Sequence, residues 1–107
     1  MQITASKSGE VTIAAFEGRL DTMTAIEAEK TLLPLVQDGA VIADLSEVGY
    51  VSSAGLRVLL KAAKLARSTG VRFALCGLQQ AVFEVFEISG FNNVISIFPT
   101  RDQALAG

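Results

Sequence analysis

The sequence predicts an α/β fold, with a mixed, mostly parallel β-sheet of four to five strands and about four helices packed mainly on one face. The run from Ala40 to Asp44 is almost continuously apolar, as in a strand buried between two layers. A largely apolar helical segment, Leu56 to Arg67, follows it and leads into a second apolar run, Val71 to Cys76. Since the chain has 107 residues and half of them are hydrophobic, we expect one domain, residues 1–107, with a core that needs no disulfide or metal.

The N-terminal segment predicts a β-hairpin. Apolar residues alternate with polar or small ones on either side of Ser8-Gly9, in the two groups Ile3, Ala5 and Val11, Ile13, Ala15. We expect the second strand to continue through Phe16 to Gly18 and to deliver Asp21 to a loop at one edge of the sheet. An aspartate at this place also has a simple interpretation, as a carboxylate that stabilises the N-terminus of the next helix.

The first helix is expected to begin between Asp21 and Thr24. Thr24 and Glu27 have the spacing of a capping box, in which each side chain binds the backbone N–H of the other residue. Pro34 lies within the helical pattern, where it removes one hydrogen bond and clashes with the preceding turn. We therefore expect a kink or a break around Leu32 to Leu35.

The third strand is expected to end at Asp44, with a loop from Leu45 to Val51. A second helix follows the sequence Ser52-Ser53-Ala54-Gly55 and ends at Thr69-Gly70, where glycine supplies a left-handed cap. Polar residues recur along this helix at i, i+4, i+7 and i+11 and predict one solvent-facing side: Arg57, Lys61, Lys64 and Ser68.

The same helix carries the chain's only concentration of positive charge, the basic stripe of Arg57, Lys61, Lys64 and Arg67. Its simplest interpretation is a solvated helix face. The alternative is an electrostatic contact with an acidic partner protein.

The C-terminal part predicts a strand, a helix, a short strand and a final helical turn or two. These elements are expected at Val71 to Cys76, Gln79 to Ser89, Val94 to Phe98 and Thr100 to Ala106, with Gly90 as a left-handed cap and Thr100 as an N-cap. Because crossovers between parallel strands are right-handed, the helices before and after the third strand should lie on the same side of the sheet.

The residue inventory argues against an enzyme. The chain has no histidine, which removes His-based triads and the common zinc sites. Its single cysteine, Cys76, lies in a buried-strand pattern and is interpreted as a core residue. Neither glycine-rich phosphate-binding motif, GxxxxGK[ST] or GxGxxG, is present. We expect no catalytic residue, no cofactor and no bound metal.

Charge and hydropathy limit the partners. The formal net charge of −2 argues against nucleic acid, which usually needs a clustered positive surface. No leader pattern is present, and no apolar run approaches the roughly 20 residues that span a bilayer. We therefore expect a cytoplasmic protein with no direct membrane insertion.

Ser52 and Ser53 stand where the second helix begins. A serine there can cap the free N–H groups of the first helical turn, which stabilises a helix by about 1 kcal/mol. The same N–H groups and the positive end of the helix dipole also suit a phosphate carried on a serine. The two roles are compatible, so residue type alone leaves both open.

Three segments together resemble the STAS domain family, in particular the bacterial anti-sigma factor antagonists. They are Gly18-Arg19-Leu20-Asp21, the run from Asp44 to Leu59 that contains Ser52-Ser53-Ala54-Gly55, and the run from Phe83 to Phe91 that ends in Ser-Gly-Phe. The resemblance covers nearly the whole chain and implies a STAS-like fold.

The resemblance also implies the site residues. The family's phosphoacceptor serine falls on Ser53, with Ser52 as second choice, and its first-loop aspartate falls on Asp21. This chain has Ser52 and Ala54 where sporulation-type antagonists commonly have aspartate and serine. The implied partner-binding residues are Asp21, Ser52, Ser53, Ala54, Gly55 and Arg57.

The implied function is that of a phospho-switched binding module in transcription regulation. When unphosphorylated it would bind an anti-sigma factor that is also a serine kinase, and so free a sigma factor; a PP2C-type phosphatase would reset it. An alternative within the fold is a small cytoplasmic STAS subunit of a lipid ABC transport system. A second alternative is a receiver-like domain phosphorylated on Asp44. This chain, however, lacks the acidic cluster near the first strand and the lysine after a later strand that such a domain is expected to have. The sequence leaves self-association open.

Overall fold

The computed structural model describes residues 1–107 and shows a five-stranded sheet with four α-helices. The strands are β1 (Gln2–Ser8), β2 (Val11–Leu20), β3 (Val41–Val51), β4 (Phe73–Cys76) and β5 (Ser96–Phe98). The helices are α1 (Ala25–Asp38), α2 (Ser53–Thr69), α3 (Gln80–Ser89) and α4 (Arg101–Ala106), with a short 3₁₀ helix at Phe91–Asn93. The predicted fold class is confirmed.

The strand order in the sheet follows the chain, β1-β2-β3-β4-β5. The predicted N-terminal hairpin is present, since β1 pairs antiparallel with β2. The later pairs, β2 with β3, β3 with β4 and β4 with β5, are all parallel. Successive parallel strands joined by right-handed crossovers place their helices on one face of the sheet. An ion pair between Glu29 of α1 and Lys61 of α2 confirms that these two helices are neighbours.

The sheet buries a core on each face. The larger core lies under α1, α2 and α3 and includes Phe16, Leu20, Leu32, Leu45, Leu59, Leu75 and Phe86. The smaller core lies under α4 and consists of Ile13, Ile42, Ala74, Cys76 and Ala104. Cys76 is fully buried, as its strand pattern predicted, and burial raises the pKa of its thiol to about 11. The helices therefore pack mainly, but not entirely, on one face.

The expected loop from Leu45 to Val51 is wrong, because β3 continues to Val51. Its second half pairs with the equally long β2 through two register shifts, one between Ala15 and Glu17 and one between Gly18 and Arg19. Each shift inserts a residue out of step with the partner strand, so the side chains no longer alternate strictly between the two faces. The residues buried in this half are Leu45, Val48 and Val51, which are spaced by three.

Of the two alternatives expected at Pro34, a kink or a break, the break is wrong, since α1 is continuous from Ala25 to Asp38. Pro34 is exposed, whereas Leu32 and Val36 on either side of it are fully buried. The proline removes one helix hydrogen bond, but burial of these two side chains holds both turns against the sheet.

Smaller differences concern element ends. The fourth and fifth strands are shorter than predicted, and Phe91–Asn93 forms a 3₁₀ turn after α3. The predicted left-handed glycine caps are present at Gly70, with φ of 74°, and Gly90, with φ of 78°. Thr100 caps α4 by accepting a hydrogen bond from the Gln103 N–H at 3.2 Å, as predicted. None of the helices has both the length and the apolar character needed to cross a membrane.

Candidate functional site

The parallel strands β2 and β3 end side by side. Leu20 pairs with Val51, and the N–H of Ser52 donates a 2.9 Å hydrogen bond to the Leu20 carbonyl. Asp21 and the Ser52-Ser53 turn therefore share one edge of the sheet, the edge where parallel α/β sheets commonly place functional residues. We call Asp21, Ser52, Ser53 and Gly55 the Ser53 edge.

Gly55 brings the first turn of α2 onto the end of β2. A Cβ atom at this position would lie 2.6 Å from the Leu20 carbonyl oxygen and 2.8 Å from Leu20 Cγ, closer than van der Waals contact allows. Gly55 is buried, so its contribution to the edge is this close approach of helix and strand rather than a surface contact.

Ser52 is the N-cap of α2. Its backbone is extended, with φ of −85° and ψ of 174°, and its Oγ accepts a 3.2 Å hydrogen bond from the Gly55 N–H. Its carbonyl accepts the first helical hydrogen bond, from the Leu56 N–H at 2.9 Å. The Ser52 side chain is partly buried and already engaged in holding the helix start.

Ser53 occupies the first position of α2 and is exposed. Its hydroxyl makes no hydrogen bond within the chain, in contrast to that of Ser52. The adjacent residue Ala54 is half-buried. The two neighbouring serines thus have different environments: Ser52 is a structural cap, and Ser53 presents a free hydroxyl at the positive end of a helix.

Asp21 organises the loop that faces this serine turn. Its Oδ1 accepts hydrogen bonds from the N–H groups of Met23 and Thr24, both at 3.0 Å. Thr24 Oγ1 in return accepts the Asp21 N–H at 2.9 Å and donates to the Arg19 carbonyl at 2.7 Å. The predicted capping box of Thr24 with Glu27 is wrong, because the Thr24 side chain makes no cap bond to α1 and serves this Asp21 loop instead.

The loop also fixes the charge of Asp21. The hydrogen bond from the Thr24 N–H is the largest influence on this carboxyl and, with the bond from the Met23 N–H, holds the pKa of Asp21 below its usual value. Asp21 is therefore a fixed negative charge beside the serine turn at neutral pH.

Arg19, Tyr50, Met23 and Ile26 surround this edge and were not singled out from the sequence. The Arg19 guanidinium lies 4.4 Å from the centroid of the Tyr50 ring, and its Nε is 3.5 Å from Asp21 Oδ2. Met23 is 86% exposed and Ile26 is 66% exposed. Arg19 and Tyr50 meet through the register of β2 and β3, which a sequence alone does not contain. The available signal for Met23 and Ile26 was that two large apolar side chains follow shortly after the Gly-Arg-Leu-Asp segment.

A groove of about 300 Å³ runs between α1 and α2 beside Ser53. The residues that line it include Ala25, Ile26, Lys30, Ala54, Arg57 and Lys61. Arg57 thus lies close to the Ser53 edge, so the structure brings together five of the six implied partner-binding residues at the surface, with Gly55 buried beneath them.

Asp44 belongs to a different arrangement, the α4 clamp, which consists of Asp44, Ser46 and Arg101. Asp44 Oδ2 accepts a 2.6 Å ion-pair hydrogen bond from Arg101 Nε of α4, and Oδ1 accepts the Ser46 N–H at 2.9 Å. Burial acts to raise the pKa of Asp44, but the Ser46 N–H and the Arg101 guanidinium outweigh it and hold the pKa below its usual value. This carboxylate is committed to structure, and no group of three or more potential ligand side chains is placed to hold a metal ion.

Comparison with known protein families gives a match over nearly the whole chain. Residues 2–104 match the STAS domain family. This chain is a member of the STAS domain family. The resemblance inferred from the three sequence segments is thereby confirmed.

Proteins similar to this STAS domain are named as regulators of anti-sigma factors. BtrV of Bordetella bronchiseptica, a candidate anti-sigma factor antagonist, is 38% identical over 108 residues, which cover 99% of this chain and 93% of the relative. The anti-sigma-B factor antagonist of Listeria monocytogenes is 37% identical over 82 residues, which cover 75% of this chain and 72% of the relative. Its relatives are thus regulatory binding proteins and not enzymes, in agreement with the sequence analysis.

Solved structures share the fold at lower identity. A candidate anti-sigma factor antagonist from Thermotoga maritima superposes with a TM-score of 0.92 at 20% identity, over 97% of this chain and 92% of that one. The Bacillus cell fate determinant SpoIIAA in its phosphorylated form gives a TM-score of 0.73 at 16% identity, over 98% of this chain and 97% of that one. At these identities the likeness is one of fold.

Proposed function

We propose that this STAS domain is an anti-sigma factor antagonist whose partner binding is switched by phosphorylation of Ser53. The observation that carries the choice of serine is the difference between two neighbours. Ser52 Oγ is held by the Gly55 N–H at the helix start, whereas Ser53 is exposed and its hydroxyl is free. A kinase can reach the Ser53 hydroxyl without dismantling the cap.

The chain supplies the acceptor but not the catalytic groups. A serine hydroxyl is a weak nucleophile that needs a positioned base, and this chain contains no histidine. The kinase would bring Mg-ATP and the base that takes the hydroxyl proton, and the γ-phosphoryl group would move from ATP to Ser53 Oγ with release of ADP.

Phosphate on Ser53 should leave the fold intact. It adds about −1.5 to −2 charges, and the N-terminus of a helix favours negative charge through its free N–H groups and dipole. The hydroxyl it modifies holds no structural bond. The switch therefore acts at the surface, by clash and repulsion against a partner, rather than by unfolding the domain.

The cycle proposed for this chain starts from the antagonist role in its relatives' names and adds a kinase and a phosphatase as part of the proposal. Unphosphorylated protein binds an anti-sigma factor that is also its serine kinase, which frees a sigma factor; phosphorylated protein lets go, and a PP2C-type phosphatase restores it. This regulation of transcription takes place in the cytoplasm. The antagonist names of the relatives and the phosphorylated form of a fold neighbour support the proposal.

The test is phosphorylation by the serine kinases encoded beside anti-sigma systems in the chain's own genome. Native protein, Ser53→Ala and Ser52→Ala are incubated with each kinase and ATP, and added phosphate is mapped by mass spectrometry. We expect phosphate on native protein and on Ser52→Ala and none on Ser53→Ala. Circular dichroism of both variants controls for folding, since Ser52→Ala removes a cap that contributes about 1 kcal/mol.

Two results would contradict the proposal. Phosphate retained in Ser53→Ala and lost in Ser52→Ala moves the acceptor to Ser52. No phosphate on native protein with any kinase removes the phospho-switch, and the alternative of a STAS subunit in a lipid ABC transport system then becomes the better hypothesis.

A further inference from the structure

The basic stripe on α2 is almost free of partners. All four of its residues are exposed, and only Lys61 forms an ion pair, with Glu29 of α1 at 3.0 Å. Arg57, Lys64 and Arg67 have no carboxylate partner in the chain. This concentration of unpaired positive charge stands out because the chain as a whole carries a net charge of −2.

The groove between α1 and α2 carries the same sign of charge. Its lining residues include three cations, Lys30, Arg57 and Lys61, and a single carboxylate, Glu29, which Lys61 already neutralises. A groove with this excess of positive charge attracts negatively charged groups and repels positive ones.

Apolar surface lies within and beside this positive rim. Ala25 and Val58, which are buried, and Ala54, which is half-buried, line the groove; Ile26 beside them is 66% exposed, and Met23 in the adjoining loop is 86% exposed. Exposed apolar side chains grouped around a depression are typical of protein interaction sites. A groove between two helices also matches the shape of an amphipathic helix that inserts its apolar face.

We propose that this groove is the docking site for an acidic amphipathic helix of the partner kinase. An apolar side chain of that helix packs between Ile26 and Ala54. Its carboxylates pair with Arg57, which lines the groove, and with Lys64, which lies beyond the groove about two turns further along the same face of α2. The inference rests on the proposed function, because it names the chemistry of the segment by which the anti-sigma factor recognises this chain.

The arrangement also gives a physical reason why a phosphate on Ser53 would weaken binding of the acidic helix. Ser53 and Arg57 are four residues apart on α2, the spacing at which side chains of a helix are neighbours, about 5–6 Å apart at Cβ. A phosphate on Ser53 would pair with Arg57 and so remove one of the cations that the acidic helix needs. The remaining negative charge would repel the carboxylates of that helix, so only the unphosphorylated chain would bind well.

The experiment measures binding of the kinase that phosphorylates the native chain, without ATP, by isothermal titration calorimetry at low and high salt. The test variants are Arg57→Glu with Lys64→Glu, and Ile26→Ala. The matched controls are Lys7→Glu, an exposed charge on β1, and Ile88→Ala, an isoleucine that is 88% exposed on α3.

We expect the double charge reversal to weaken binding at least about tenfold and to flatten its salt dependence, since it replaces attraction by repulsion at a partly desolvated rim. Ile26→Ala should weaken binding about threefold or more through lost apolar burial. Both controls should stay within about twofold of the native affinity, because they lie away from the groove. Circular dichroism on all variants separates lost binding from lost folding.

The outcomes separate the two proposals. If the double reversal binds like native protein while Ser53 is still phosphorylated, the acidic-helix inference is wrong and the proposed function stands. If no kinase binds or modifies native protein, both are overturned. Sedimentation equilibrium gives a third check: a native dimer that the double reversal dissociates would assign the groove to a second copy of this chain and overturn the inference.

Discussion

Asp21 directly follows β2 and Asp44 lies within β3, and the fold uses these two aspartates in different ways. Both have their pKa lowered by hydrogen bonds from the backbone, from Thr24 in one case and Ser46 in the other. The side-chain partners of Asp21 all lie within residues 19–24, whereas the Asp44 side chain also binds Arg101, which is 57 positions away along the chain. Asp21 shapes a surface loop, and Asp44 ties the last helix to the sheet.

The comparison shows that the role of each carboxylate depends on whether its partners are near or distant in the sequence. The lowered pKa, which both share, does not distinguish them. The Ser53 edge is built from local turns and leaves a hydroxyl, a carboxylate and a groove exposed for a partner. In the α4 clamp the Asp44 side chain is only 11% exposed, and both of its carboxylate oxygens are bound within the fold, by the Arg101 guanidinium and by the Ser46 N–H. Changes at the two regions should therefore have separable effects on binding and on stability.

The largest expected effect tests how the Ser53 edge depends on the fold beneath it. Gly55→Ala would place a Cβ 2.6 Å from the Leu20 carbonyl oxygen, so helix and strand must separate. We expect a loss of about 3 kcal/mol of unfolding free energy, at the upper end of overpacking costs. Urea denaturation measures it. Gly49→Ala is the matched control, because a Cβ there meets only Gln79 Oε1 at 3.6 Å, and it should change stability by less than about 0.5 kcal/mol.

The next effect concerns the α4 clamp. Asp44→Ala removes the ion pair with Arg101 and the acceptor for the Ser46 N–H, and we expect a loss of about 2 kcal/mol of unfolding free energy. Kinase binding and Ser53 phosphorylation should be unchanged at temperatures where the variant is folded. Urea denaturation and the phosphorylation assay check the two halves of this prediction. A folded Asp44→Ala protein that fails to be phosphorylated would show that the two regions are coupled.

Much of the fold around these two regions follows from the sequence alone. The core strand at Ala40 to Asp44, the hairpin, the helix that follows Ser52 and its glycine cap all follow from local periodicity, and the structure confirms them. The far half of β3 was missed because register shifts in its pairing with β2 replace alternation by a spacing of three. Pattern recognition depends on a regular period, and bulges remove it.

Contacts between residues that are distant in the sequence could not be predicted for a different reason. Asp44 was interpreted as a strand-end carboxylate, and nothing in the local residues indicates that Arg101 will reach it. The resemblance favoured Ser53 over Ser52, but the local residues gave no structural reason for that choice, since either serine could cap a helix. The hydrogen bond from Gly55 to Ser52, which depends on the position of one backbone turn, distinguishes them in the structure.

A smaller effect is expected at Asp21. Asp21→Asn keeps an oxygen acceptor for the N–H groups of Met23 and Thr24 but removes the negative charge beside the serine turn. We expect thermal stability close to native and kinase affinity raised about twofold to fivefold, because this carboxylate lies beside the groove proposed to hold an acidic helix and repels it. Calorimetry of unfolding and of binding measures the two quantities. A fall in stability comparable to that of Asp44→Ala, with unchanged affinity, would reverse the roles assigned to the two aspartates.

The smallest effect is the pH dependence of the α4 clamp. The pKa of Asp44 is lower in the folded protein than its ordinary value of 3.8, so the folded state favours the ionised carboxylate. Its contribution to stability is fully present above that ordinary value and is lost as the pH falls through the lower, folded-state pKa. Unfolding free energy from urea titrations should therefore fall as the pH is lowered through and below 3.8. Asp44→Asn cannot titrate at this position, so its slope should be shallower than that of the native chain, with the remainder coming from other carboxyls such as Asp21. An equal slope in both proteins would mean that the ion pair with Arg101 contributes nothing to the acid sensitivity of the fold.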